Sequence, residues 1–242
     1  MWLIANYRPA ALFSFKIGVA TSTAAKSLFL PTPFAIRTAL LDAAIRTQGL
    51  TRGQELFEAL KGLHIAARLP DAVAVTNLFA KVQKPTRNDG KEKKSDKPMT
   101  STIAFREYVH LEGDLALAFS GDADALKALR DLLPQVNYFG KRGSFFQLME
   151  AKSDTTELPN GFYALDGMTL AGSQVVSPIG NQFPLGVIQL MDDWGEELTF
   201  EKVDIYSDEK IVMGKDRIRK GVILPYHLTR SSKSFSLYER IE

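Results

Sequence analysis

The chain has 242 residues, 45% hydrophobic and 24% charged, with a net charge of +2 and no cysteine. This composition is that of a globular protein able to bury a core of one large or two small domains. The absence of cysteine excludes disulfides, zinc–thiolate and iron–sulfur sites and a cysteine nucleophile, and is compatible with a reducing, cytoplasmic location. No apolar run approaches the roughly 20 residues that span a bilayer, so no membrane partner is expected.

In chain order, the first residues (MWLIANYRP) meet Asn6, Arg8 and Pro9 too early for a signal peptide, and read as a strand of the mature protein. Residues 12–19 (LFSFKIGV) alternate and are expected to continue it. A hydroxyl-rich loop follows at 21–27. Thr32 and Pro33 then have the characters of an N-cap and a first-turn proline, with Ile36, Leu40, Ala43 and Ala44 on one helical face and Gly49 as the stop. Residues 52–62 predict a second short helix. Residues 64–69 and 72–82 predict strands around the Pro70–Asp71 turn, and residues 102–111 and 115–119 predict two more around Glu112-Gly113-Asp114. Asp122 predicts a helix cap, with Pro134 closing the helix, and residues 145–149 predict a further strand.

With residues 81–98 set aside, this is a β-α-β-β-α-β order, the split βαβ or ferredoxin-like arrangement. Residues 151–242 show no helical period. Strands are expected at 162–165, 186–191, 198–206, 211–213, 222–224 and 235–238. The fold class is therefore α+β. An N-terminal ferredoxin-like (RRM-like) domain over 1–150 carries a basic insertion at 81–98, and a β-rich C-terminal half covers 151–242.

Charge is unevenly spread. Residues 81–97 carry seven basic and three acidic side chains, or +4, leaving −2 for the rest of the chain. Residues 208–242 carry eight against five, or +3. Two cationic segments on a near-neutral body suit a local polyanion contact, although a Lys-rich loop is also an ordinary solvated loop. Residues 137–146 (NYFGKRGSFF) place Lys141 and Arg142 between Gly140 and Gly143, with aromatics on both sides. Cations on an accessible backbone beside aromatic rings suit phosphate contact and base stacking. The alternative is a β-turn whose phenylalanines are core. His64, His110 and His227 share no metal-ligand or helix-face spacing, and neither a nucleophile elbow nor a phosphate loop occurs. Asp192-Asp193 and Glu196-Glu197, flanking Trp194-Gly195, read as a solvated turn.

Four segments together resemble a known family: Leu30-Pro31-Thr32-Pro33 leading into Arg37 and the Ala/Leu helix, Phe105-Arg106-Glu107-Tyr108-Val109, residues 137–145, and the closing SFSLYERI. The chain resembles the RAMP superfamily, and within it the subunit of type I CRISPR effector complexes (Cascade) that binds the five-prime handle of the guide RNA. Where that family usually has a glycine in the helix, Thr38-Ala39 stands. The resemblance implies a structural RNA-binding subunit that caps a filament of backbone subunits and extends a thumb, here residues 81–98, to kink the guide. Its implied partners are the guide RNA (crRNA), the backbone and large subunits, and target DNA indirectly. The candidate RNA contacts are Lys16, Lys26, Arg37, Lys84, Arg87, Arg106, Tyr138, Lys141 and Arg142. No catalytic residue, metal or cofactor is implied. Two alternatives remain: a metal-independent endoribonuclease of the same fold, and a ferredoxin-like interaction domain that binds no RNA.

Overall fold

A computed structural model describes residues 1–18, 24–86, 98–165 and 186–241. Arg87, most of the basic insertion and residues 21–23 of the hydroxyl-rich loop lie outside the described residues. In chain order the elements are β1 (Trp2–Pro9), β2 (Phe15–Lys16), β3 (Ala24–Ala25), β4 (Ser27–Leu28), α1 (Pro33–Gln48), α2 (Leu50–Lys61), β5 (His64–Arg68), β6 (Ala72–Pro85) and β7 (Met99–Leu111). They continue with β8 (Leu115–Ser120), α3 (Ala123–Leu132), β9 (Phe146–Thr155), β10 (Tyr163–Ala164), β11 (Val187–Trp194), α4 (Phe200–Val203), β12 (Arg217–Leu224), β13 (Tyr226–Ser231) and β14 (Phe235–Arg240). Among the described residues no helix is long and apolar enough to cross a membrane.

Two five-stranded sheets organise this α+β chain. The first runs β10-β5-β8-β1-β9, with every pair antiparallel. In β8, Leu115, Leu117 and Phe119 alternate with Ala116 and Ala118, and all five are buried. By the two-residue period of a strand, the large set faces the helices and the alanines face Trp2 and Phe162. The second sheet runs β13-β14-β6-β7-β3. Its centre is the β6–β7 hairpin, paired from Val73↔Leu111 to Pro85↔Met99. The strand predicted to end at residue 82 therefore continues through 83–85, where a polar stretch is expected.

The helices end where local chemistry stops them. Thr32 accepts from the Ala35 amide at 3.2 Å, Pro33 opens α1, and Ile36, Leu40, Ala43 and Ala44 are buried as expected. Gly49, at φ +92°, ends α1 and begins α2. Asp122 accepts from the Ala125 amide at 2.6 Å and caps α3.

Several elements differ from expectation. Of the described residues 12–18 only Phe15–Lys16 is strand, and Phe13 instead bridges to Val109 on the second sheet. Residues 198–206 hold the short helix α4 rather than a strand, and residues 211–213 are not a strand. The β13–β14 hairpin pairs back onto β6, and Met191, Trp194, Leu224 and Tyr226 share one core with Tyr7, Ile36 and Leu117.

Two ion pairs order the C-terminal elements, and the first also ties them to the body. Arg37 is 3% exposed. Its guanidinium donates to Asp193 at 2.9 Å and to the Leu60 and Leu63 carbonyls at 2.5 and 2.9 Å. It therefore ties α1 to β11 while satisfying carbonyls at the end of α2. Asp216, fully buried, accepts from Lys202 at 2.8 Å and from the Val212 amide at 2.8 Å.

Arg37→Ala leaves Asp193 buried and unpaired, and is expected to cost about 3–5 kcal/mol in urea unfolding. Arg46→Ala, in the exposed pair with Asp42, is expected to cost under about 0.5 kcal/mol. Equal losses from the two variants would refute the role given to Arg37. The Lys202 hydrogen bond holds the Asp216 carboxyl below its ordinary value of 3.8. Its stabilisation is thus full above the unfolded-state value of about 4 and is lost as pH falls through the depressed one. The stability difference between wild type and Asp216→Asn should shrink when unfolding is measured at pH 3 instead of pH 7.

Candidate nucleic-acid interface

The segment 137–145 folds as a tight loop beside the N-terminus of α1. The Ser144 amide donates to the Lys141 carbonyl at 3.1 Å, and the Phe146 amide donates to the Asn137 carbonyl at 2.9 Å. Gly140 and Gly143 lie at φ +60° and +106°, which lets the chain reverse and raise Lys141 and Arg142 into solvent. The aromatics divide. Phe139 and Phe146 are core, with Phe139 edge-on to Tyr7 at 5.2 Å. Tyr138 is half-buried and Phe145 exposed. The β-turn reading holds for the two buried rings, and the contact reading keeps the other two.

Between this loop, α1 and the β11–β12 hairpin opens a groove of about 440 Å³. Lys16, Tyr138, Lys141 and Arg217 line it, with Phe34 and Leu190 as apolar walls. Arg217 and Arg219 were not among the sequence candidates. Arg217 lies over the Phe34 ring at 4.3 Å, and both arginines are held by the buried Asp192 carboxylate, at 2.6 and 2.9 Å. The signal available in sequence was Arg-Ile-Arg set against Asp192. Their pairing needs the β11–β12 register, Asp192↔Arg219 and Trp194↔Arg217, which no local pattern gives. Asp192 and Asp193, expected in a solvated turn, are both buried.

From the groove the cations continue toward the second sheet. Lys16 pairs with Ser27, the Ile17 amide donates to the Lys26 carbonyl, and Ala25 pairs with Arg106 on β7. Lys16 and Lys26 are exposed and Arg106 is half-buried. Arg106 stands opposite Leu78 on the β6–β7 hairpin, and Lys84 lies six residues further along the same face, ~20 Å at 3.3 Å per residue. Beyond the core end of the hairpin, Leu78, Phe79, Val82, Met99, Ile103 and Phe105 are exposed, with Phe79 edge-on to Phe105 at 4.5 Å. The hairpin is thus an exposed arm carrying apolar side chains on both faces, with Arg106 and Lys84 on one of them. The structure brings Lys16, Tyr138 and Lys141 to one groove and lays Lys26, Arg106 and Lys84 along a path to the arm. Arg142 stands on the loop tip outside the groove lining. Arg37 is corrected: its guanidinium is consumed by Asp193 inside the protein and offers nothing to a ligand.

The histidines do not converge. His64 is in the first sheet, and His110 and His227 are on β7 and β13 of the second. Three interstrand spacings separate that pair, roughly 14 Å.

No protein-family model matches the chain. Over 229 residues, 91% of this chain and 95% of the relative, it is 24% identical to CRISPR-associated protein Cas5 of Archaeoglobus fulgidus. A crystal structure of a CRISPR protein from Archaeoglobus fulgidus matches with a TM-score of 0.43 at 14% identity, covering 100% of this chain and 92% of that one. A chain of a CRISPR RNA-guided surveillance complex matches at 0.39 and 17%, covering 60% of this chain and 59% of that one. The sequence similarity spans nearly the full length of both proteins.

Nothing lies within 4 Å of a Cβ placed on Gly143, so a side chain there meets strain in the backbone alone. Gly143→Val should cost about 1–2 kcal/mol and lower Tm by about 2–4 °C per kcal/mol. Gly143→Asn, which accepts positive φ, should retain most of that stability. Equal losses for Val and Asn in calorimetry would show that the loop does not depend on this conformation.

Proposed function

We propose that this chain is a structural RNA-binding subunit of a type I CRISPR effector complex that grips the five-prime handle of the guide RNA and caps the backbone filament. The observation that carries the reading is the groove where Lys16, Lys141, Arg217 and Tyr138 meet, joined through Lys26 and Arg106 to the hairpin arm. Cations set for phosphates beside a half-exposed ring fit single-stranded RNA, whose unstacked bases need a stacking partner. Arg87 belongs to the same proposed contact set.

The strand order β5-β8-β1-β9, with helices between β1 and β5 and between β8 and β9, supports a ferredoxin-like core within residues 1–150. In this reading β6–β7 is the inserted thumb, and β13 and β14 from the C-terminal half extend its sheet. The guide RNA and the backbone and large subunits of the complex are the partners, target DNA is reached through them, and the setting is cytoplasmic. The separation of the three histidines supports a holding role over cleavage, since acid–base help needs two groups at one phosphate.

Each phosphate neutralised on a single strand contributes about −0.7 to the log–log salt slope. In a salt-titrated gel shift with a repeat-derived RNA, Lys141→Ala/Arg142→Ala should weaken binding and flatten the slope by up to about 1.4. A slope equal to wild type would remove this loop from the interface. Cleavage of a repeat-containing precursor by the wild type in EDTA would make the endoribonuclease reading the correct one, and no RNA affinity at all would favour a protein-interaction domain.

A further inference from the structure

On the far side of α4 the chain builds a loop with a different character. Residues 204–216 hold Ile205 at 86% and Tyr206 at 92% exposure, with Val212 and Met213 about half exposed. This is not a slack segment. The Asp204 carboxylate accepts from the Tyr206 amide at 2.9 Å, and the Asp204 carbonyl accepts from the Ser207 amide at 3.1 Å. The Ser207 hydroxyl accepts from the Glu209 amide at 3.1 Å. At the loop's end, buried Asp216 binds Lys202 and the Val212 amide. At its base, Phe200 packs edge-on to Phe57 at 5.9 Å, and Lys61 donates to the Glu196 and Leu198 carbonyls. The backbone hydrogen bonds thus turn two large apolar side chains outward and keep them there.

The surrounding charge selects the partner. Residues 196–216 carry seven acidic and three basic side chains, a net −4 within a chain of net +2. One of the three bases, Lys202, is spent on Asp216. A phosphate backbone is repelled from such a surface, so the RNA of the groove is not its occupant. An exposed aliphatic–aromatic pair in an acidic surround matches an apolar recess with lysine or arginine at its rim.

We infer that the 204–216 loop is a docking knob, with Ile205 and Tyr206 as anchors, for a basic-rimmed apolar recess on another protein subunit of the same effector complex. The inference rests on the function proposed above for its choice of partner. Large side chains pre-positioned by the backbone lose little freedom on docking, which concentrates affinity in a few anchors. The acidic rim adds attraction at a distance and speeds association at low salt.

The test uses the full chain and the complex reconstituted with guide RNA from the subunits encoded beside it. Ile205→Ser/Tyr206→Ser is compared with wild type for repeat-RNA affinity by gel shift and for docking to each purified partner subunit by interferometry. Because both side chains are almost wholly in solvent, thermal unfolding should match wild type. The expected result is RNA affinity within twofold of wild type and docking to one subunit weakened at least tenfold. Asp208→Lys/Glu209→Lys should slow association with that subunit at low salt and converge with wild type at high salt. Unchanged docking by both variants, or no docking by the wild type to any subunit, would overturn the inference. If the wild type fails to bind repeat RNA yet docks through Ile205 and Tyr206, the RNA reading falls and the knob stands.

Discussion

The ion pair between Arg37 and Asp193 is the constraint on which the rest of the chain depends. It joins a helix residue to a strand residue 156 positions later, and both side chains are about 5% exposed or less. Charges removed from water at that depth are tolerated only with near-complete hydrogen bonding. Arg37 meets that demand by also donating to the Leu60 and Leu63 carbonyls, and Asp193 by accepting from the Trp194 amide. The pair thus fixes α1, the end of α2 and β11 relative to one another. Trp194 reinforces the same junction by stacking on Phe57 at 4.7 Å.

Position 192 uses the same strand to opposite effect. Successive strand residues point to opposite faces, so where Asp193 turns to the helices, Asp192 turns to β12. There it orients Arg217 and Arg219. Its neighbour locks the strand, and Asp192 holds cations at the rim of the groove. A guanidinium shared with a buried carboxylate is pre-oriented, and has less freedom to lose when a phosphate arrives. Arg37, by contrast, is consumed in the core. The sign of a residue says little about its role until its burial is known.

What the sequence revealed was local. Thr32, Pro33 and Gly49 bracket α1, and Asp122 opens α3, because caps and glycine stops act within one turn. The turn of residues 137–145 and its exposed Lys141 and Arg142 were legible for the same reason. Non-local pairings were not. The acids at 192 and 193 looked like part of a solvated turn because their arginines lie 25 to 156 residues away. Residues 198–206 looked like a strand from Leu198, Phe200 and Val203. The short helix prevails there because those side chains reach the core from a helical turn, with Phe200 against Phe57. Residues 83–85, with Lys84 and Pro85, suit a loop. Their strand character comes from β7, whose residues Met99–Ser101 pair with them rung for rung.

The charge balance acquires a physical meaning once the fold is known. A net charge of +2 is the sum of surfaces of opposite sign. Lys16, Lys26, Lys84, Arg106 and Lys141 run from the groove to the arm, while the acidic 196–216 region includes α4 and runs to the start of β12. At physiological ionic strength fields decay over about 8 Å, so each surface acts on what touches it and the two do not cancel. Under the proposed function, the cationic groove is left to RNA and the acidic loop to a protein partner. Arg217 sits where the two surfaces meet. It closes the acidic loop at its C-terminal end, lies on Asp192, covers Phe34 and lines the groove.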